Sequence, residues 1–122
     1  MIGVPTGVRI WLCTAPTDMR CGVDGLAALV QGKLDANPFS GQLFIFRGRK
    51  GHIVKCLWSD AEGMCVLYKR LNEGQFVWTR TAGGAVSLTS AQLSMLLEGM
   101  DWRRVRRRKE PDPDAPSPTR AI

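Results

Sequence analysis

The first part of the chain changes from an alternating pattern of apolar residues to a helical one. Residues 8–12, Val-Arg-Ile-Trp-Leu, alternate with β-branched and aromatic positions as a strand does. Apolar residues then recur at the spacing of one helix face, at Val23, Leu26, Ala27, Val30 and Leu34. Thr17 or Asp18 is a candidate N-terminal cap for this helix. The helix must end before Pro38, because proline disfavours helical geometry in the residue ahead of it.

Short apolar segments separated by glycine-containing turns predict an antiparallel β-meander between residues 42 and 78, with strands at 43–46, 53–58, 64–68 and 76–78. A four-residue turn at 60–63 would give the pairs Cys56–Leu67, Trp58–Cys65 and Lys55–Tyr68. One face would then carry the residues that pack against the helices: Phe44, Phe46, Val54, Cys56, Trp58, Cys65 and Leu67. A slip of one residue would exchange the two faces of the sheet.

A second helix is predicted to begin at Thr89, where Gln92 completes a Thr-x-x-Gln capping box. Its apolar positions follow helical spacing, at Leu93, Leu96, Leu97 and Met100, and Gly99 suits its C-terminal end. The elements together predict one α+β domain over residues 1–102, with two short helices packed on one face of an antiparallel sheet of about five strands. Residues 103–122, first arginine-rich and then acidic and proline-rich, are expected to form a disordered tail.

The chain of 122 residues has a formal net charge of +6, and this charge is unevenly distributed. Residues 1–102 carry ten basic and eight acidic side chains, whereas residues 103–122 carry seven and three. A positive excess attracts polyanions, so nucleic acid is the first partner to consider. Simple solubility charge is the alternative explanation for the small excess outside the tail.

Cysteine and histidine usage argues against a metal site. The four cysteines show no Cys-x-x-Cys spacing and His52 is the single histidine, so neither a metal nor another cofactor is predicted. Cysteines within apolar runs behave as small hydrophobic residues and fit a reducing cytoplasm. Because no run of about 18 apolar residues and no signal-peptide pattern occurs, neither membrane insertion nor export is expected.

Ordered motifs over roughly residues 3–103 carry a resemblance to a known family. They lie at 7–12, 17–20 and 24–30, then at 38–41, 44–49, 69–71 and 76–78, and finally at 86–89, 91–93, 95–99 and 101–103. In these motifs the chain resembles the TnpB accessory proteins of IS66-type bacterial insertion sequences, which are encoded beside a separate transposase. The resemblance implies a role in transposition without catalytic activity of its own. Nothing in the sequence resembles the RNA-guided nucleases that share the name TnpB.

The sequence departs from the family's usual pattern at three positions. Ser59 stands where the family usually has an aromatic residue, and Cys21 and Gln75 stand where it usually has basic residues. These departures remove basic contacts rather than elements of the fold.

A basic hairpin tip is the most informative local feature for DNA binding. Arg47, Arg49 and Lys50 lie in a stretch with no acidic residue between Asp35 and Asp60. Arginine pairs with phosphate through two parallel hydrogen bonds and lysine binds it as a point charge, and a basic hairpin can enter a major groove. A turn whose charges are merely solvated is the alternative. Three strand residues either extend this patch or fall on opposite faces of the sheet: Lys55, Lys69 and Arg70.

The arginine-rich run after the last helix is the second candidate contact with DNA. It consists of Arg103, Arg104, Arg106, Arg107, Arg108 and Lys109. Counterion release would make such a run an anchor that is independent of DNA sequence. A solubility tail or a docking segment for an acidic partner surface remains open. Three tryptophans in predicted strands could stack on bases, but core packing is favoured for them: Trp11, Trp58 and Trp78.

Two functions follow, and neither is enzymatic. The first is an accessory factor that binds DNA through the hairpin and the run at 103–109. The second is a protein-interaction module that recruits or regulates the transposase or binds another protein encoded by the element. Its surface would be a sheet face bearing Ile45, Ile53, Leu57, Val66 and Tyr68. No nucleotide-binding loop or nucleophile motif is present. Each carboxylate that could join a catalytic metal cluster has a plainer place in a cap, a turn or a helix end.

Overall fold

A five-stranded sheet organises the residues that the computed structural model describes, which are 4–5, 7–80 and 84–104. Its strands are β1 (Ile10–Thr17), β2 (Leu43–Gly48), β3 (Ile53–Ser59), β4 (Met64–Arg70) and β5 (Ala85–Leu88), in the spatial order β4-β3-β2-β1-β5. The helices are α1 (Val23–Lys33) and α2 (Ser90–Leu97), and a 3-10 turn spans Trp102–Arg104. The predicted α+β class, with about five strands and two helices, is confirmed.

The sheet is mixed, and this differs from the predicted meander. β1 and β2 run parallel, with α1 between them in the chain, whereas all other neighbouring strands are antiparallel. Residues 76–78 do not form a strand, and the fifth strand is β5, which pairs with β1. The reason lies in the hydrogen bonds of the 76–78 segment: the carbonyl of Val77 accepts from the indole of Trp102 at 2.8 Å rather than from a neighbouring strand.

The register of β3 and β4 is the predicted one. Cys56 pairs with Leu67 and Trp58 with Cys65, and the turn at 60–63 closes the hairpin. The Asp60 amide donates to the Gly63 carbonyl at 2.8 Å, while the Asp60 carboxylate accepts from the backbone amides of Glu62 and Gly63. These two backbone hydrogen bonds also lower the pKa of Asp60. Local turn chemistry therefore fixes this register.

The register between β2 and β3 contradicts the predicted face of the two β2 phenylalanines. Phe44 pairs with Leu57 and Ile45 with Cys56. Phe44 and Phe46 therefore lie on the face opposite to the other predicted core residues, which are Val54, Cys56, Trp58, Cys65 and Leu67. Four consecutive β2 residues, at 43–46, are each no more than 1% exposed, so both faces of this central strand are covered.

The two helices cover opposite faces of the sheet, which corrects the prediction that both lie on one face. Leu26 and Val30 of α1 pack in a core with Cys13, Phe44, Phe46 and Leu57. The buried leucines of α2, Leu93 and Leu96, pack in a second core with Ile45, Val54, Cys56 and Trp58. The helix that crosses between parallel strands and the helix that follows β5 thus bury separate apolar stripes.

The predicted N-terminal cap is present at α2 but not at α1. α2 begins at Thr89 with the predicted capping box, since the Thr89 hydroxyl accepts from the Gln92 amide and the Gln92 side chain accepts from the Thr89 amide. It ends at Leu97, and Gly99 follows the C-cap Glu98 with a φ of 78°, which suits glycine. At α1 the prediction was wrong, because the N-cap is Gly22 with no side-chain hydrogen bond, and Asp18 bonds Arg20 instead.

Replacing Thr89 with Ala should lower the free energy of unfolding by ~1 kcal/mol, because it removes the hydroxyl that accepts from the Gln92 amide. Chemical denaturation of the purified protein measures this change. Thr89→Ser keeps the acceptor and serves as the control. Equal stability of the two variants would contradict the contribution of the cap.

The last described element includes two residues of the predicted tail. Arg103 and Arg104, expected to begin the disordered tail, complete the 3-10 turn behind the buried Trp102. The predicted disorder of the remainder falls at 105–122, outside the described residues. Among those that are described, no helix has the length and apolar character needed to cross a bilayer.

Candidate nucleic-acid interface

The turn between β2 and β3 presents two of the predicted cations to solvent. Arg49 and Lys50 are both exposed, and the Gly51 amide closes the turn on the Gly48 carbonyl at 3.1 Å. Gly51 has a φ of 80°, a conformation that favours glycine. Turn geometry thus directs the Arg49 and Lys50 side chains outward.

Close packing on both sides holds this turn in place. A Cβ at Gly48 would come within 2.8 Å of the Met19 side chain, and one at Gly51 would lie 3.3 Å from the Gln75 and Trp78 side chains. The turn is therefore wedged between the loop after β1 and the segment at 75–78. Its cations project from a supported position rather than from a free loop.

A cleft of about 700 Å³ lies beside the turn. It is lined by residues 17–20, at the end of β1 and in the loop that follows, and by residues 48–50 and 52–53. These walls bring Arg20 and His52, which sequence reasoning did not select, next to Arg49 and Lys50. Asp18 is the one acidic residue among those that line the cleft. The cleft has the composition of an anion site.

Asp18 and Arg20 form a paired unit on the cleft wall. The Arg20 Nε and Nη2 atoms donate to the Asp18 carboxylate at distances from 2.8 to 3.2 Å, and the Arg20 amide donates to Asp18 Oδ1 at 2.9 Å. The Arg20 hydrogen bonds, aided by the charge of Arg49, hold the pKa of Asp18 well below its usual range. Asp18 is therefore ionised at neutral pH, and its charge opposes those of Arg20 and Arg49.

Arg47 does not share this cleft. It is half-buried, and its guanidinium lies 5.4 Å from the centre of the Trp78 ring, in a cation–π contact. The Trp78 indole in turn donates to the Gly51 carbonyl at 3.0 Å. Arg47 therefore supports the turn from the α2 side of the sheet.

The three strand cations fall on opposite faces, which was one of the two predicted arrangements. Lys55 donates to the Cys21 carbonyl at 2.7 Å, below the start of α1, and lies 5.7 Å from the Tyr68 ring. Lys69 donates to the Leu97 carbonyl, where the C-terminal end of α2 favours a positive charge. Arg70 is exposed and pairs with Ile53 of the cleft wall. Among these three, only Arg70 adds an exposed positive charge beside the cleft.

The start of the arginine-rich run is attached to the same end of the molecule. Arg103 donates to the Asp101 carboxylate at 3.1 Å and to the Trp78 carbonyl at 3.3 Å. The Trp78 indole also donates to the Gly51 carbonyl. Trp78 therefore connects the first residue of the run with the hairpin turn. The rest of the predicted contacts, Arg106, Arg107, Arg108 and Lys109, lie outside the described residues, as does the Arg104 side chain.

The predicted apolar docking face is only partly reproduced. Ile53, Leu57, Val66 and Tyr68 lie on the face of the sheet that α1 covers, where Leu57 is fully buried, whereas Ile45 is buried on the opposite face. Trp58 is a core residue, as predicted, with 6% of its surface exposed. Trp11 is half-buried and donates to the Gln42 side chain. Across residues 4–5, 7–80 and 84–104, no group of three possible metal ligands comes together.

Arg20 and His52 were missed because their signal is topological. Asp18-Met19-Arg20 follows β1, and the register places Thr17 at the end of β1 beside Gly48 at the end of β2. The carboxyl ends of parallel strands meet at one edge of a sheet, which is where ligand sites often form. A sequence interpreted as a purely antiparallel meander gives no reason to bring these residues together.

Comparisons with known proteins identify related chains. The family described as IS66 Orf2 like protein, TnpB_IS66, matches residues 8–107. Two curated relatives from Sinorhizobium fredii are similar over most of their length. The protein y4hO is 52% identical over 82% of this chain and 89% of its own, and y4jC is 38% identical over 88% and 92%. No solved structure is significantly similar to this chain.

Proposed function

Because this chain belongs to the IS66 Orf2-like family, an accessory family of insertion-sequence transposition, we propose that it is a non-catalytic accessory protein that binds DNA. The first contact is the pair of exposed cations on the β2–β3 turn, Arg49 and Lys50. The second is the arginine-rich run at 103–109. Both contacts are electrostatic and are directed at the phosphate backbone.

The observation that carries this proposal is the convergence of cationic side chains from two loops on one cleft. Arg20 comes from the loop after β1, and Arg49 and Lys50 come from the β2–β3 turn. Phosphate contacts from arginine and lysine position a protein on DNA without reading its sequence. A rigidly supported turn loses less conformational freedom on binding than a free loop does.

Two of the originally predicted contacts have intramolecular roles. Lys55 bonds the loop before α1 and Lys69 bonds the end of α2, so each ammonium already has a carbonyl partner. We therefore assign phosphate binding to the more exposed cations: Arg20, Arg49, Lys50 and Arg70. Arg47 supports the turn through Trp78.

The cytoplasm is the proposed site of action. All four cysteines are free thiols: Cys13, Cys21, Cys56 and Cys65. Burial raises the pKa of the Cys13 and Cys56 thiols to about 12, which keeps both protonated and unreactive at neutral pH. Structural thiols of this kind suit a reducing compartment, where DNA is also present.

Replacing both Arg49 and Lys50 with Ala should weaken duplex binding and reduce the slope of log K against log salt by at most ~2. Each phosphate contact contributes about −0.9 to that slope, since it releases condensed counterions. Anisotropy titrations of a labelled duplex across salt concentrations measure the change. The matched control removes two exposed cations elsewhere, Arg9 just before β1 and Lys33 at the end of α1.

Two outcomes would contradict the proposed DNA contact. The first is an equal loss of slope in the control variant. The second is no detectable duplex binding at low salt by folded full-length protein. In the second case the function moves to recruitment of the transposase. Co-purification of the two proteins after nuclease treatment would then detect their direct contact.

A further inference from the structure

The cleft contains a cation that is already paired with an internal anion. The Arg20 side chain is 92% exposed, and the Asp18 side chain that it contacts is 46% exposed. Asp18 engages the Nε and Nη2 edge of the guanidinium, one of the edges through which arginine binds a phosphate with two parallel bonds. A phosphate on this edge would use the same donors as Asp18, and one on the neighbouring edge would share Nη2.

We propose that the cleft is an oxyanion site for backbone phosphate, in which Arg20 is a ligand and Asp18 competes with the phosphate for it. The inference rests on the proposed function, because it makes the DNA backbone the source of the phosphate. Arg49, Lys50 and His52 are the other basic residues that line the cleft. Asp18 thus sets the affinity of the site without contacting the DNA.

Charge and exposure support competition over a purely structural role for Asp18. The Asp18–Arg20 pair is solvent-exposed, and exposed ion pairs contribute little to stability, so an incoming anion can displace it. Asp18 also remains charged at neutral pH and lies within the electrostatic range of Arg49. DNA supplies a dense row of phosphates against this single carboxylate.

Asp18→Asn separates the charge of Asp18 from its backbone role. The Oδ1 atom accepts from the Arg20 amide in a local turn, and asparagine keeps an acceptor at this place. The Cys21 amide donates to the Asp18 carbonyl, and this bond is unchanged by the substitution. The variant therefore loses the negative charge while the turn is retained.

Asp18→Asn in the full-length protein should tighten binding to a labelled duplex by about threefold, the effect of removing one opposing unit charge several ångströms from a phosphate in water. Glu62→Gln is the matched control, because it removes the same charge in the β3–β4 turn, at the other end of the sheet. Arg20→Ala should weaken binding at least threefold relative to Arg9→Ala. Anisotropy titrations at one low salt concentration measure all four variants.

The outcomes distinguish failure of the competition at Asp18 from failure of DNA binding by the protein. Wild-type binding that depends on Arg49 and Lys50, with Asp18→Asn no tighter than Glu62→Gln, overturns the inference and leaves the proposed function standing. If the wild-type protein binds no duplex, the proposed function fails. Anion binding in the cleft is then tested by NMR, by adding inorganic pyrophosphate to isotope-labelled protein. Amide shifts confined to residues 17–20 and 48–53, larger in Asp18→Asn, would support the oxyanion site, and their absence would reject it.

Discussion

Deleting residues 105–122 is expected to flatten the dependence of duplex affinity on salt by roughly 3 to 4 units of slope. The deletion removes four clustered cations of the arginine-rich run, Arg106, Arg107, Arg108 and Lys109. If each neutralises one phosphate, each contributes about −0.9 to the slope of log K against log salt. The loss should be the same for element-end DNA and for a scrambled duplex, since phosphate contacts carry no sequence information.

The truncation point matters because the first residues of the run belong to the fold. Trp102 is 4% exposed and bonds the Val77 carbonyl, while Arg103 bonds Asp101 and Trp78. Cutting after Arg104 keeps these contacts, so that a change in binding does not reflect unfolding. Thermal melting of the truncated protein verifies this point.

A second truncation provides the control for the first. Deleting residues 110–122 removes the acidic, proline-rich end and leaves the cations at 103–109 in place. Binding by this variant should be at least as tight as that of the full-length protein, because three side-chain carboxylates are lost against one cation, Arg120. If deletion of 105–122 changes the slope by less than one unit, the run is not the principal anchor.

Replacing Trp58 with Ala should lower the free energy of unfolding by ~3 to 5 kcal/mol, as other large truncations in protein cores do. The side chain is 6% exposed, and it packs in the core beneath α2 with Ile10, Phe76 and Leu96. Its removal would leave a cavity bordered by β1, by α2 and by the segment at 75–78. Urea denaturation followed by circular dichroism measures the loss.

Phe39→Ala is the matched control for this aromatic truncation. Phe39 is 62% exposed, and surface substitutions usually change stability by no more than about 0.5 kcal/mol. A Trp58→Ala protein as stable as the wild type would place Trp58 at the surface. Such a result would also contradict the assignment of the Trp58 face of β3 to the core beneath α2.

Short-range features were predictable from the sequence because their information lies within a few residues. The capping box of Thr89 and Gln92 needs only a spacing of three, and the turn at 60–63 needs only the Asp60 side chain and neighbouring amides. The pairing of β3 with β4 follows from that turn. The exposed cations Arg49 and Lys50 were also correctly placed on a tight hairpin turn.

The faces of the sheet could not be predicted, because the central strand is apolar on both sides. Residues 43–46 are continuously apolar, so their pattern does not show which side chains face which helix. Two features of the tertiary structure determine which side chains face which helix. β1 pairs in parallel with β2, and α2 returns to the opposite face from α1.

The composition of the candidate site also depended on tertiary structure. Sequence alone established a basic hairpin, an arginine-rich run and the family resemblance. Which cations share a surface followed from packing. Parallel pairing of Thr17 with Gly48 brings Arg20 to the turn, whereas backbone carbonyls engage Lys55 and Lys69. The physical reason is that a side chain's charge is local information, but its partner is set by contacts between residues far apart in the chain.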